Sequence, residues 1–91
     1  MAKYVKIKDP DAVLDYGLDW SNWLASGETI SSSSWVVETG LTKDSSSNTT
    51  TTTTVWLSGG TAGRTYRITN SIVTSAARED DRSILIKVIE R

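Results

Sequence analysis

The sequence has neither cysteine nor histidine, and these two absences exclude most of the common site chemistry. Without cysteine the chain can form no disulfide and offers no thiolate, so its stability has to come from packing. Without histidine it lacks the usual general base of enzymes and the commonest ligand of transition metals. We therefore expect no catalytic residues, no metal site and no cofactor.

An excess of one charge and long apolar runs are missing as well. Ten lysines and arginines face eleven aspartates and glutamates, a formal net charge of -1, which gives no electrostatic reason to bind nucleic acid or an anionic membrane. No stretch is apolar for long enough to span a membrane, and no apolar signal core follows the first residues. The charge balance favours a neutral partner surface, and neither nucleic acid nor a membrane is expected as a partner.

Hydroxyl-bearing and aromatic residues are what the chain does contain, and they favour β-sheet. Serine and threonine make up 26 of 91 residues, beside four tryptophans, a composition that suits a half-exposed pleated sheet. Alternating or β-branched segments predict strands at 2–8, 14–20, 29–38, 49–57, 66–73 and 83–89. A bulge is expected within 31–34, a mobile loop at 43–48 and a charged hairpin loop at 75–82.

About seven strands without helical periodicity predict a single all-β domain over residues 1–91, an immunoglobulin- or fibronectin III-like β-sandwich. The spacing of Leu57, Gly63 and Tyr66 supports this fold. It is typical of a tyrosine corner, in which a tyrosine hydroxyl bonds back to upstream backbone where the chain crosses between sheets. Trp20 ends the cleanest alternating segment. We assign these four residues to the structural core.

Two groups of carboxylates are close in sequence, but neither has the pattern that its chemistry requires. Asp9, Asp11 and Asp15 lack an EF-hand pattern and the glycine of its turn, while Ca²⁺ needs six to eight oxygen ligands on a constrained loop. The acidic run 79–81 lies in the predicted hairpin loop, where there is no cleft to hold a catalytic pair. The first group is therefore not expected to bind a metal ion, and the second is expected to be solvated or to contact a partner.

Several apolar side chains are predicted to point away from the core. On the phase that buries Val55 and Leu57, Trp56 faces outward. Exposed tryptophan and branched aliphatic residues are typical anchors of protein interfaces. The predicted interface consists of Trp56, Val73, Leu85 and Ile89, joined by Arg78 and Arg82, whose guanidinium groups form forked hydrogen bonds to neighbouring carboxylates or to a partner chain.

Three segments resemble one group of proteins beyond the general sandwich pattern. They are DPDAVLDYGLDWSNWL (9–24), TTVWLSGGTAGRTYRITNSIVTS (53–75) and REDDRSILIKV (78–88). They resemble small virion structural proteins of tailed bacteriophages and prophages, of the fiber–tail adaptor type. The resemblance implies a non-enzymatic virion component, assembled in the bacterial host cytoplasm, that binds tail, neck, fiber or capsid proteins in several copies per particle.

The leading hypothesis is an adaptor that docks on the tail or neck and bridges it to a fiber or a neighbouring subunit. Two alternatives remain open. One is a capsid decoration protein that clamps neighbouring capsid subunits. The other is a carbohydrate-binding module in which Trp23, Trp35 or Trp56 forms a stacking platform.

Overall fold

The computed structural model describes residues 4–90, and within them the chain forms seven β-strands and no helix. The strands are β1 (Tyr4–Lys8), β2 (Leu14–Asp19), β3 (Ile30–Val37), β4 (Leu41–Asn48), β5 (Thr52–Gly59), β6 (Thr65–Thr74) and β7 (Glu79–Val88). The first two residues of the predicted strand 2–8 lie outside the described residues. In this part of the chain, no helix is long and apolar enough to cross a membrane.

The strands form two sheets that pack face to face as a β-sandwich. One sheet has the order β1-β7-β6-β3 and the other has the order β2-β5-β4. All neighbours are antiparallel except β1, which lies parallel to β7. The all-β sandwich predicted from the sequence is therefore confirmed. In the constant-type immunoglobulin arrangement the first strand shares a sheet with the second, whereas here it lies in the opposite sheet.

The core lies between the sheets and is built by alternate residues of the strands. Its buried apolar side chains are Tyr16, Leu18, Trp20, Ile30, Trp35, Leu41, Val55, Leu57, Tyr66, Ile68, Ile72, Ile84, Ile86 and Val88. Burying an aliphatic or aromatic side chain contributes roughly 1.5–3 kcal/mol. This apolar layer is therefore the main source of stability in a chain that has no disulfide.

Strand β1 buries Lys8, whereas Lys6 on the same phase is exposed. Lys8 is fully buried, whereas Val5 and Ile7 are exposed. The Nζ of Lys8 donates hydrogen bonds to the carbonyl oxygens of Asp9 and Gly59, at 2.8 Å each. Burial lowers the pKa of Lys8, and the nearby Asp9 carboxylate opposes that shift. The two carbonyls accept from two of the three ammonium donors, while Val5 and Ile7 lie on the outer surface.

The segment 43–48, predicted to be a mobile loop, is part of strand β4. Its backbone pairs antiparallel with β5, apart from a register shift between Lys43 and Ser45. After Leu41 every side chain of β4 is exposed. The prediction was wrong because this edge strand is held by backbone hydrogen bonds and carries no apolar alternation that a sequence could reveal.

Two predicted strand boundaries also differ from the structure. The predicted strand 49–57 begins at Thr52, since the N–H of Thr49 donates to the Thr52 carbonyl at 2.9 Å and closes a turn. The loop predicted at 75–82 covers only 75–78, and its charged residues from Glu79 onward belong to β7. A register shift at the start of β3 confirms the bulge predicted within 31–34.

The crossing from β5 to β6 is organised around the Tyr66 side chain. Its hydroxyl accepts a hydrogen bond from the Thr61 N–H at 2.9 Å, a contact with upstream backbone as in a tyrosine corner. The ring leaves no room for a side chain at Gly40, where a Cβ would lie 2.6 Å from Tyr66 Cε1 at a φ of +113°. Leu57 is fully buried. Gly63, assigned to the core from the sequence, is instead exposed, and its φ of +88° is what favours glycine there.

Candidate docking surfaces

The residues predicted to form one interface lie on opposite faces of the sandwich. Trp56 points outward from β5 in the three-stranded sheet. Val73 and Leu85 point outward from β6 and β7 in the four-stranded sheet. Because the packed core separates the two sheets, these side chains cannot contact the same flat surface of a partner. The sequence predicted outward anchors, and the structure divides them between two surfaces.

The outer surface of the four-stranded sheet, here called the apolar face, is defined by Val5, Ile7, Val36, Val73 and Leu85. Val5 is 58%, Ile7 48% and Val36 67% exposed, all more than the predicted Val73 at 36%. Val5 pairs with Leu85 across β1 and β7, and Val36 lies on edge strand β3. Sequence reasoning missed Val5, Ile7 and Val36 as anchors. For Val36 a signal was available: the run 35–37 is apolar on both phases of one strand, so one of its apolar side chains has to face outward.

Charged side chains lie at both ends of the apolar face, and at the end with the basic residues the Glu38 carboxylate accepts from the Arg67 N–H at 2.7 Å. Arg67 pairs with Leu85, and Lys87 lies two residues further along the outward phase of β7. Glu79 and Asp81 occupy the same phase at the other end of β7. A partner that matches this polarity would bind in one orientation, since opposite charges attract and like charges repel across an interface.

The outer surface of the three-stranded sheet, here called the tryptophan face, centres on Trp56, which is 41% exposed. Asp15 on β2 and Ser45 on β4 are its direct cross-strand partners. Asp44 accepts a hydrogen bond from the Ser58 hydroxyl at 2.9 Å, and Ser58 lies two residues beyond Trp56 on β5. A carboxylate therefore lies on each side of the exposed indole.

Arg78, a predicted partner contact, forms its hydrogen bonds within the chain. Its guanidinium forms a forked ion pair with the Glu28 carboxylate, and its Cζ lies 4.1 Å from the centre of the Trp23 ring. The Glu28 carboxylate also accepts from the Thr74 hydroxyl and the Ala25 N–H. The hydrogen bonds from Arg78, then those from Thr74 and Ala25, lower the pKa of Glu28 to about 2. The ion pair joins two turns of the chain.

The other predicted contacts, Arg82 and Ile89, also have neighbours within the chain. The Cζ of Arg82 lies 4.1 Å from the centre of the Trp20 ring. Ile89 follows the end of β7 at Val88, is half-buried, and donates its N–H to the Lys8 carbonyl at 3.0 Å. The strand predicted at 83–89 therefore begins four residues earlier, at Glu79, and ends one residue earlier, at Val88. Ile89 is held beside β1.

A buried polar network around Asn70 was not predicted from the sequence. Its Oδ1 accepts from the Trp20 Nε1 at 3.0 Å and from the Thr53 hydroxyl at 2.7 Å. Its Nδ2 donates to the Ser33 hydroxyl and the Ser34 carbonyl, at 2.9 Å each. All the hydrogen-bonding capacity of the amide is used, and the bonds join the two sheets. The signal was an asparagine on the inward phase of β6.

The remaining site hypotheses can be compared with the geometry. Of the three tryptophans proposed for a stacking platform, Trp23 carries Arg78, Trp35 is only 4% exposed, and Trp56 has an open ring. Asp9 accepts from the Asp11 N–H at 2.8 Å in a turn, away from the outward phase of β2. Within residues 4–90 no group of three or more acidic, histidine or cysteine side chains could hold a metal ion.

Comparison with known families identifies the group to which this sandwich is related. Residues 8–87 match the family described as podophage GP4 fiber-tail adaptor protein gp77. The chain belongs to this family. Membership of the fiber–tail adaptor family makes it a structural protein of the bacteriophage virion, with a role in the tail and contacts to other tail or fiber proteins. No curated protein matches the sequence.

Proposed function

We propose that this fiber–tail adaptor is non-enzymatic and bridges two virion components with the two outer faces of its sandwich. One face docks on the tail or neck, and the other holds a fiber or a neighbouring subunit. The observation that carries the proposal is that the exposed anchors Trp56 and Val36 lie on opposite sheets. A bridge needs two surfaces that can be occupied at once, and two faces separated by a core provide them.

The apolar face has the composition of a contact that persists in the finished particle. Burying its aliphatic side chains contributes about 25 cal/mol per Å² of apolar area removed from water, and lasting interfaces are more apolar than transient ones. Lys87 at one end, and Glu79 and Asp81 at the other, favour one orientation of the partner. We assign this face to the permanent attachment.

An open strand edge supports assembly in several copies. Strand β4 is at the edge of its sheet, and its outer side pairs with no other strand within the described residues. Free N–H and C=O groups along such an edge can pair with a strand of another chain. The polar side chains of β4 keep this edge from aggregating before assembly.

The strongly perturbed carboxyl of Glu28 supports a structural role. A strongly shifted pKa in a cleft is a common sign of catalysis. Glu28 has such a shift, but its oxygens are occupied by Arg78, Thr74 and Ala25. No lone pair is left to take a proton from a substrate, so the shift reflects an ion pair that holds two turns together.

Electron microscopy of particles assembled with variants of the chain tests the bridge. We expect density for the protein between the tail and a fiber or neighbouring subunit. Val36→Lys should release one contact and Trp56→Ser the other. Ser26→Lys is a matched control, because Ser26 is exposed but lies in the turn before β3 and not on a strand of either face, and it should assemble normally. Density on the capsid lattice, or loss of the same contact in both variants, would contradict the proposal.

A further inference from the structure

Trp56 differs from the other tryptophans of this chain in having an uncovered ring. Trp20 and Trp23 each carry an arginine guanidinium at 4.1 Å from the ring centre, and Trp35 is buried. Trp56 is exposed at 41% and has no stacked cation among the described residues. Two of the four tryptophan rings therefore have a stacked arginine, whereas the exposed Trp56 ring has none among the described residues.

The carboxylates beside Trp56 are placed where a stacked cation would need them. Asp15 is the direct cross-strand partner of Trp56, and such pairs have Cβ atoms about 4.5–5.5 Å apart. Asp15 is exposed and forms no ion pair within the described residues. Asp44 lies on the opposite flank, bonded to Ser58. A cation over the indole would therefore lie between two negative charges.

The three-stranded sheet supplies no cation of its own to this position. Lys43 is the one basic residue in β2, β4 and β5. Its Nζ is directed to the Trp35 carbonyl of β3, at 3.5 Å, and so away from the indole. Lys8 of β1 interacts electrostatically with Asp44, but its Nζ is buried against the Asp9 and Gly59 carbonyls. Asp15 therefore remains as an exposed negative charge beside the indole, and it attracts a positive partner group.

We propose that Trp56, Asp15 and Asp44 form a receptor for an arginine or lysine side chain of a partner protein in the tail. The partner's guanidinium or ammonium group stacks on the Trp56 ring, as Arg78 does on Trp23, and pairs with Asp15. This inference rests on the proposed adaptor function and names the chemistry of one of its two partners. A neutral sugar would also stack on the indole, but it would gain nothing from the Asp15 carboxylate, which forms no ion pair within the described residues.

Nuclear magnetic resonance of the full chain with labelled tryptophan indoles tests the receptor. The probe is an acetylated Gly-Arg-Gly amide, and its control carries citrulline, which has the same shape without the charge. We expect a saturable shift of the Trp56 indole signal with the arginine probe, and binding about two- to fivefold weaker with citrulline. Binding should weaken in about 1 M salt, where charges more than about 3 Å apart are screened.

Matched variants assign the effect to named groups. Asp15→Asn should weaken the arginine probe, whereas Asp81→Asn, on the apolar face, should leave its binding unchanged. Equal binding of both probes, no effect of Asp15→Asn, or a Trp56 shift with a neutral oligosaccharide but not with arginine would overturn the proposal. If the protein assembles into tails but does not bind the probe, only the receptor proposal is contradicted. A chain that binds the probe but is absent from tails would instead fail the adaptor function.

Discussion

The two fully embedded tryptophans have opposite hydrogen-bonding states. Trp20 donates its Nε1–H to Asn70, while the buried Nε1 of Trp35 has no partner among the described residues. A buried donor without an acceptor costs free energy, whereas a satisfied donor contributes a modest net gain. Trp35 therefore stabilises the core through its packing alone, and Trp20 through both its packing and its hydrogen bond to the opposite sheet.

Replacing each of these tryptophans by phenylalanine separates the two contributions. Both variants lose ring volume, but only Trp20→Phe leaves the Asn70 carbonyl short of a donor. We expect Trp20→Phe to lower the free energy of unfolding by about 1–2 kcal/mol more than Trp35→Phe. Urea titration followed by circular dichroism measures both. Equal losses would show that the Asn70 network contributes no stability.

Sequence patterns indicated the burial of these residues but not their bonds. Trp20 and Asn70 both lie on inward phases, which alternation reveals. The partners of Asn70 come from β3, β5 and the end of β2, which are far apart along the chain. Only the packing of one sheet on the other brings them together.

At the scale of elements, Glu28 and Arg78 join the turn before β3 to the hairpin between β6 and β7. The pKa of Glu28 in the folded chain is about 2, below its ordinary value of 4.5. A lowered pKa means that the carboxylate stabilises the fold fully above about pH 5. That contribution is lost progressively as the pH falls toward about 2.

We expect the substitution Glu28→Gln to flatten the acid limb of stability. Wild-type melting temperature should fall between about pH 5 and pH 3, and the variant should be less stable near neutral pH with a smaller fall. Thermal melts followed by circular dichroism check this. Glu79→Gln, which changes an exposed carboxylate outside the network, is the control. A wild-type slope that Glu28→Gln leaves unchanged would assign the acid sensitivity to other groups.

Strand boundaries followed the sequence where side chains alternate and departed from it where they do not. Strand β6 alternates throughout and was predicted to within one residue at each end. Strand β7 alternates clearly from Ile84 onward, and its polar start at 79–82 was predicted as a loop. Strand β4, with one buried residue in eight, was predicted as a loop. Backbone pairing with β5 stabilises it, and backbone pairing leaves no mark on residue composition.

For the whole molecule, the separation of the two faces predicts independent effects. Trp56 and Val36 lie on opposite sheets, so truncating either to alanine should not alter the surroundings of the other. The changes in unfolding free energy should add in the double variant to within about 0.5 kcal/mol. Chemical denaturation of the two single variants and the double variant measures this. A larger coupling would mean that the faces communicate through the core.

The net charge of the sequence does not reveal how the charges are distributed over the folded molecule. The nearly neutral sequence predicted a neutral partner surface. In the fold, Asp15 and Asp44 lie on either side of Trp56, and the Lys43 ammonium is directed toward β3. A balanced total therefore conceals an acidic surface, because strand pairing decides which charges become neighbours.

The sequence by itself determined the all-β class, the inward residues of the longer strands, the outward position of Trp56 and the resemblance to fiber–tail adaptors. These properties depend on residue type and on a period of two, which are local. Tertiary structure decided that Lys8 of β1 is buried, that β4 is a strand, and that the anchors divide between two faces. These depend on which strands pair and which sheets pack, and such contacts join residues that are distant in the chain.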